Sequence, residues 1–217
     1  MPEFFKCRLR FSKTERARFI SHLDLMRCFQ RSFRRADISL RHSEGFNPHP
    51  YLSILAPLSV GFESGCELLD FHLCDGLSHG EILGRLSAAL PEGVAALDAY
   101  EPVHAVKALA FAGYDVFFEI SGAQDAPLQI EAMFSSPEII VPKKSKSGVR
   151  DVNLRDLLRG LAVRPAEGGV KISAALAAAA NPVLLKTAVE RYLPWAAIEG
   201  ARYRRTAFLL GDGSPFV

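Results

Sequence analysis

The feature that most constrains the fold is a change in the period of apolar residues near the start of the chain. Residues 4–11 (FFKCRLRF) alternate apolar and basic side chains, the period of two that is typical of a β-strand. Residues 21–37 instead place Leu25, Phe29 and Phe33 on one arc at the helical period of 3.6. A strand followed by an amphipathic helix is therefore predicted, with Ser21 capping the helix.

The rest of the first half completes a strand–helix–strand–strand–helix–strand order. A short strand is predicted at 38–43, one or two strands at 51–73, a helix at 78–91 and a strand at 94–103. This order is the split βαβ pattern of a ferredoxin-like domain. We assign that domain to residues 1–104, including the basic helix and the turn HSEGFNPHP.

The second half follows a similar order without repeating the sequence. Strands are predicted at 114–120, 138–144, 169–176 and 201–210, and helices at 127–136 and 181–194. Residues 149–165 are ambiguous between a helical turn and a strand. We therefore expect an α+β protein of two tandem ferredoxin-like domains, residues 1–104 and 105–217, with the second imperfect.

Charge is unevenly distributed along the 217 residues, although the net charge is only +2. Residues 1–50 carry 11 Lys/Arg and 5 Asp/Glu, a net charge of +6. Residues 51–140 have a net charge of −11, and residues 141–217 have one of +7. If the basic ends meet, they form a positive face that attracts phosphates; alternatively, the acidic middle neutralises them within the fold.

The basic residues predict contacts with RNA. They lie on the first strand, on the outer arc of the helix, around the turn and in the segment PKKSKSGVR (142–150). Guanidinium groups suit phosphate better than ammonium groups do, and Gly45 lets backbone N–H groups approach an anion. The predicted RNA-binding residues are Arg8, Arg10, Arg27, Arg31, Arg34, Arg35, Arg41, His42, Asn47, His49, Lys143, Lys144, Lys146 and Arg150.

The turn RHSEGFNPHPYLS (41–53) places two histidines on a rigid, sharply turned piece of chain. It can direct Arg41, His42, Asn47 and His49 toward phosphates or a partner protein, with Phe46 and Tyr51 free to stack on bases. The structural alternative is that its prolines only end one strand and direct the next.

The sequence gives no sign of a metal site, a cofactor or a nucleophile. The histidines and the four cysteines lack the close pairs of a zinc site, and no motif such as GxSxG, HExxH or a P-loop is present. We predict no metal, no cofactor and no catalytic residue. His22 falls on the apolar side of the predicted helix, at its first turn.

One long block resembles a known family. Residues 8–70 contain RFSKT (10–14), SHLDLMR (21–27), EGFNPHP (44–50) and ELLD (67–70), and they resemble the radical-SAM-linked protein family. Members of that bacterial family are encoded beside, or fused to, a radical S-adenosylmethionine protein with a cobalamin-binding-like domain. The link ERAR (15–18) departs from the glycine-containing link of the family.

The resemblance implies a helper of a radical enzyme, and it supplies no catalytic residue. The element order is also similar to that of the CRISPR repeat-processing endoribonucleases, which have tandem ferredoxin-like domains. Some of these enzymes use a histidine as a general base, and this resemblance would make His22 or His42 the candidate here. We therefore expect a non-catalytic RNA-binding accessory protein that works with a nearby radical SAM protein. A metal-independent endoribonuclease and a protein–protein adaptor remain the alternatives. Without an apolar segment that could span a bilayer, we expect no membrane partner and a cytoplasmic location.

Overall fold

The computed structural model describes residues 4–120, 125–145 and 148–217. The chain divides into two compact units, one of Met1–Ala108 with Val217 and the other of Leu109–Phe216. Each unit has a sheet core, and the described residues include four α-helices, so the protein has a mixed α/β fold.

The first unit contains four strands and two α-helices. These are β1 (Phe5–Lys13), α1 (His22–Arg35), β2 (Leu52–Ile54), β3 (Glu63–Leu73), α2 (His79–Ala89) and β4 (Val94–Tyr100). The strands pair antiparallel in the order β4-β1-β3-β2. Each of α1 and α2 therefore connects two strands that have a third strand between them. The buried residues of both helices share one core with the sheet, so both helices lie on one face.

Aromatic side chains hold α1 on that face. Phe11 of β1 contacts Phe29, and Phe71 of β3 contacts Phe33, each pair edge-to-face with ring centroids 4.8 Å apart. All four rings are buried. Ser21 accepts a hydrogen bond from the backbone N–H of Asp24, so the predicted cap begins the helix.

The predicted strand at 38–43 is wrong. Leu40 forms only an isolated bridge with Leu73, and His42 forms one with Pro50. The long segment 51–73 divides into β2 and β3, and the chain between them turns at Ala56 (φ 41°) and Gly61 (φ 88°).

The second unit contains β5 (Phe111–Ile120), α3 (Ala126–Phe134), β6 (Ile140–Ser145), β7 (Gly148–Asn153), β8 (Leu158–Ala166), β9 (Gly169–Ala177), α4 (Val183–Tyr192) and β10 (Ile198–Leu209). Its sheet has the antiparallel order β10-β5-β9-β8. Strands β6 and β7 form a separate hairpin. The basic segment 142–150 lies mainly in this hairpin; residues 146–147 are outside the described residues.

The ambiguous segment 149–165 contains no α-helix. It comprises most of β7, a short 3-10 helix at Leu154–Leu157 and most of β8. Across the described ranges, no helix is both long enough and apolar enough to cross a bilayer.

Two glycines of the first unit allow a matched test of this packing. Gly93 (φ 80°) and Gly61 (φ 88°) share the left-handed backbone region that favours glycine. A Cβ on Gly93 would lie 2.8 Å from the Thr14 carbonyl oxygen and 2.9 Å from the Ala17 Cβ, whereas one on Gly61 would meet nothing within 4 Å.

We predict that Gly61→Ala costs about 1–2 kcal/mol in the free energy of unfolding, from backbone strain alone. Gly93→Ala should cost about 1–3 kcal/mol more, because the new methyl group collides with buried backbone. Urea unfolding followed by circular dichroism measures both. Equal losses in the two variants would contradict the packing described at Gly93.

Candidate nucleic-acid interface

The turn 41–51 leaves the sheet where its edge strand is interrupted. Leu52 pairs with Phe71 of β3 while Leu40 pairs with Leu73, so both flanks of the turn lie against the same strand. The Tyr51 N–H donates to the Arg41 carbonyl at 2.8 Å. These contacts bring the two ends together, and the intervening residues project from the edge.

The tip of the turn is closed by hydrogen bonds and fully exposed. The Ser43 N–H donates to the His49 carbonyl at 2.8 Å, and the His49 N–H donates to Ser43 Oγ at 3.0 Å. Phe46 is as accessible as in an extended chain, and Asn47 is exposed beside it. An exposed phenylalanine on a pinned turn is available for stacking.

An open cleft of about 540 Å³ lies between α1 and this turn. Gln30 and Arg34 line it from the helix, and His42 and His49 line it from the turn. The His42 Nδ1 lies 2.9 Å from the Leu40 carbonyl oxygen. Because a carbonyl only accepts, Nδ1 carries the hydrogen, and Nε2 is the proton acceptor of the neutral ring. The fold thus brings together three predicted RNA-binding residues.

The four arginines of α1 are all exposed, but they differ in their contacts. Arg27 pairs with Asp24 at 3.1 Å, and Arg35 donates to the Ala89 carbonyl at 2.5 Å. Within the described residues, the side chains of Arg31 and Arg34 form no ion pair or hydrogen bond. These two guanidinium groups, one helical turn apart, are therefore the ones free to contact phosphate.

Arg8 does not lie on a basic surface as the alternation suggested. Its side chain is 1% exposed, and its Nε and Nη2 donate to Asp70 Oδ1 at 2.6 Å and Oδ2 at 2.9 Å. The carboxylate sits directly opposite on β3 and forms a bidentate pair with the guanidinium. Arg8 is thus a structural residue of the sheet.

Arg10 and Lys6 are exposed on the face of the sheet opposite α1. Their neighbours Leu9 and Phe11 are buried toward the helices, and successive strand residues point to opposite faces. The basic residues of the first unit are therefore divided between the helix side and the open sheet face.

Arg41 belongs to a stack of rings that the sequence did not reveal. Its guanidinium lies 4.0 Å from the ring centroid of Phe4 and 4.8 Å from that of Tyr51, and Tyr51 stacks on His72 with centroids 5.3 Å apart. Burial, with help from the charges of Lys6 and Arg41, lowers the pKa of His72. His72 is therefore neutral at pH 7 and stacks as an uncharged ring.

The other predicted residues are dispersed. His22 is exposed in the first turn of α1, although it falls on the same arc as Phe29 and Phe33, and it does not line the cleft. Lys143 and Arg150 are cross-strand neighbours in the β6–β7 hairpin of the second unit. The Lys144 backbone pairs with Val149, but its side chain and the whole of Lys146 lie outside the described residues.

The thiols and potential metal ligands add no further site. All four cysteines are free thiols, and burial raises the pKa of Cys7 to about 12, which keeps it protonated and unreactive. In the part of the chain that the structure describes, no three His, Cys, Asp or Glu side chains are grouped as ligands.

The Arg8–Asp70 pair gives a testable structural prediction. Asp70→Ala should lower the free energy of unfolding by roughly 3 kcal/mol, because a buried guanidinium loses its carboxylate. The matched control is Glu190→Ala, which breaks the Lys186–Glu190 pair on α4 and should cost at most about 0.5 kcal/mol. Urea unfolding measures both free energies. Similar losses in the two variants would show that the Arg8–Asp70 pair contributes no more to stability than a partly exposed ion pair on a helix.

Comparison with solved structures shows similarity of fold. The chain is similar to part of a protein in the crystal structure of a Cbf5-Nop10-Gar1 complex, with 14% identity and a TM-score of 0.54. The alignment covers 93% of this chain and 48% of that one, so this chain spans about half its length. A protein of unknown function from Galdieria sulphuraria aligns over 94% of this chain and 99% of its own, with 13% identity and a TM-score of 0.27.

A search of curated proteins finds no match. A family model described as "uncharacterized protein conserved in bacteria (DUF2344)" matches residues 6–187. This range includes most of β1, the turn, the cleft residues and most of the second unit. The chain belongs to this bacterial family, DUF2344.

Proposed function

We propose that this protein is a non-catalytic RNA-binding accessory protein, and that the cleft between α1 and the turn contacts the RNA backbone. The convergence of Arg34, His42 and His49 on one open cleft is the observation that carries the proposal. Arg31 adds a second unengaged guanidinium on the adjacent helical turn. Cations in a concave, exposed setting attract a polyanion and lose that attraction as salt rises.

The features of the turn favour a single strand over a duplex. Phe46 is fully exposed at the tip, so it can offer its ring to an unstacked base, whereas Tyr51 is already engaged with Arg41 and His72. Bases inside a duplex are already stacked and cannot use the Phe46 ring. An RNA segment crossing the cleft would place its phosphates on the cations and a base on Phe46.

We further interpret both units as ferredoxin-like domains, the second with the β6–β7 hairpin inserted. The sheet orders β4-β1-β3-β2 and β10-β5-β9-β8 correspond strand for strand when that hairpin is set aside. Domains with this sheet commonly present side chains to single-stranded RNA, which favours RNA over DNA by fold-level analogy.

The radical SAM partner rests on the resemblance of residues 8–70 to the radical-SAM-linked family. We propose that this protein presents RNA to such an enzyme for modification. Co-expression with the neighbouring radical SAM protein should give a complex that RNA stabilises. A complex that forms without nucleic acid, from a protein that binds none, would identify a protein–protein adaptor instead.

The arginines of α1 provide the main test. Arg31→Gln/Arg34→Gln should weaken binding of a single-stranded RNA and reduce the slope of log K against log salt by about 1.4, since each lost phosphate contact contributes about 0.7. The matched control is Arg27→Gln/Arg35→Gln, which removes the same charge from guanidinium groups engaged with Asp24 and Ala89.

Filter binding across a salt series measures both double variants. The control should keep most of the wild-type slope. No RNA affinity of the wild type at low salt would reject the proposal, and equal loss in both variants would reject the cleft as the place of contact.

A metal-independent endoribonuclease is the second candidate, favoured by one observation. The Leu40 hydrogen bond leaves the His42 Nε2 free as a proton acceptor in the same cleft as His49 and Arg34. A base can deprotonate a ribose 2′-hydroxyl, whose oxygen then attacks the adjacent phosphorus. As the P–O5′ bond breaks, a protonated second imidazole can give its proton to the departing 5′-oxygen, while a cation stabilises the phosphorane.

Incubation of RNA with the protein in EDTA tests this candidate. If it is correct, RNA is cleaved, and His42→Ala lowers the rate at least about 100-fold by removing the general base. His22→Ala is the matched control, because His22 is exposed outside the cleft and should leave the rate unchanged. Intact RNA, or cleavage at the same rate by the wild type and His42→Ala, excludes this candidate.

A further inference from the structure

The second unit carries an open sheet face that the proposed function does not use. Val116 and Phe118 of β5 are buried on the helix side, so Asp115, Phe117 and Glu119 point to the opposite face. The neighbouring strands follow the same alternation, with Ile172 of β9 buried on the helix side. This open face is therefore built from a defined set of alternating positions.

A row of cations crosses the face beside one aromatic ring. The register places Arg202 next to Phe117, Phe117 next to Lys171, and Lys171 next to Arg164. The three basic residues are exposed and Phe117 is half-buried. Arg202 lies over Phe117 with its guanidinium carbon 4.5 Å from the ring centroid. The stacked pair presents the outer plane of a guanidinium, on which a nucleobase can stack.

Carboxylates stand beside this stack. An open cleft of about 350 Å³ is lined by Phe117, Arg202, Glu119 and Glu167. Glu119 extends over Gly200: a Cβ at position 200 would lie 2.6 Å from the Glu119 Oε2. The absence of a side chain at Gly200 therefore allows the carboxylate to occupy its place in the cleft.

The charges of this face favour different parts of a nucleotide at different places. The two carboxylates of the cleft repel a phosphate, so the cleft does not suit the RNA backbone. Lys171 and Arg164, farther along the row, attract a phosphate. Lys171 also pairs with Asp115 at 2.8 Å and keeps its side chain about half exposed. A carboxylate accepts hydrogen bonds but cannot donate them. It therefore favours a base whose contacting group is an exocyclic amino group, a donor, over a base whose contacting group is a carbonyl oxygen, an acceptor.

We propose that this face is a second RNA-binding surface. A base stacks on the Arg202–Phe117 pair, and its exocyclic amino group donates a hydrogen bond to the Glu119 carboxylate. Cytosine and adenine carry such a group, whereas uracil presents a carbonyl oxygen at the equivalent position. The surface thus adds a base preference to the binding proposed for the first unit. This inference rests on that proposed function, since both require the protein to bind single-stranded RNA.

The test compares oligocytidylate with oligouridylate of equal length, by fluorescence anisotropy at neutral pH and low salt. The wild type should bind oligocytidylate about tenfold more tightly, the gain typical of one hydrogen bond to a charged group. Glu119→Gln should bring the ratio close to one, because an amide both donates and accepts. Gly200→Ala should do the same, because its methyl group displaces the Glu119 carboxylate while the rest of the cleft is kept.

Two further variants complete the design. Glu131→Gln, an exposed glutamate on α3 away from the open face, is the matched charge control and should keep the tenfold ratio. Phe117→Leu should weaken both oligonucleotides by removing the stack. Thermal unfolding followed by circular dichroism verifies that each variant is folded.

The outcomes separate this inference from the function proposed above. If both oligonucleotides bind equally to the wild type, or if the preference survives in Glu119→Gln and Gly200→Ala, the second surface is rejected. If the second surface is rejected but RNA binding still depends on Arg31 and Arg34, the function proposed for the first unit is retained. If neither oligonucleotide binds at low salt, the proposed function fails, and the second surface fails with it.

Discussion

The packing of α1 on its sheet determines most of what the first unit presents to its surroundings. The contacts of Phe29 with Phe11 and of Phe33 with Phe71 fix both the position and the rotation of the helix. Because these phenylalanines occupy one arc, the arginines must occupy the other. The same rotation places Gln30 and Arg34 opposite His42 and His49, so the cleft is a consequence of how the core is filled.

The environments of the arginines show why residue type alone does not identify a binding surface. Arg8 is buried against Asp70, Arg35 bonds to a backbone carbonyl, and Arg34 lines an open cleft. All three carry the same charge, yet only the last is free to neutralise a phosphate. The acidic middle of the chain does neutralise part of the basic beginning, at Arg8–Asp70 and at Arg18–Glu63, while other arginines are left for a ligand.

The two units use their sheets differently. In the first, the candidate interface lies beside the helix and the projecting turn, and the sheet face opposite α1 carries the exposed cations Lys6 and Arg10 on either side of the buried Arg8. In the second, the open face itself carries Phe117 with Arg202 stacked on it. If both proposals hold, one unit supplies electrostatic affinity and the other adds discrimination between bases. That division is physically sensible, since phosphate contacts carry no sequence information and base contacts do.

Local pattern was sufficient for the strongly periodic elements. The sequence predicted the apolar arc of α1, its Ser21 cap and the alternation of β1 correctly, because each of these features depends only on residues that are close in sequence. The predicted strand at 38–43 was wrong because alternating residues form a strand only where a partner strand continues beside them. Leu40 and Arg41 still bond to the end of β3, but His42 and Ser43 turn away into the loop. Strand β6 was predicted at 138–144, but β7 was left ambiguous within 149–165 because its polar residues carry little apolar alternation.

The sequence by itself therefore determined which residues can be helical, which can alternate and where charge is concentrated. The tertiary structure alone decided which charges are available. Arg8 meets a carboxylate 62 residues away, Arg41 meets the Tyr51–His72 stack, and Gly200 makes room for Glu119 from another strand. Such partners are set by strand register and by the closure of loops, and the periodicity of a single segment contains no information about either.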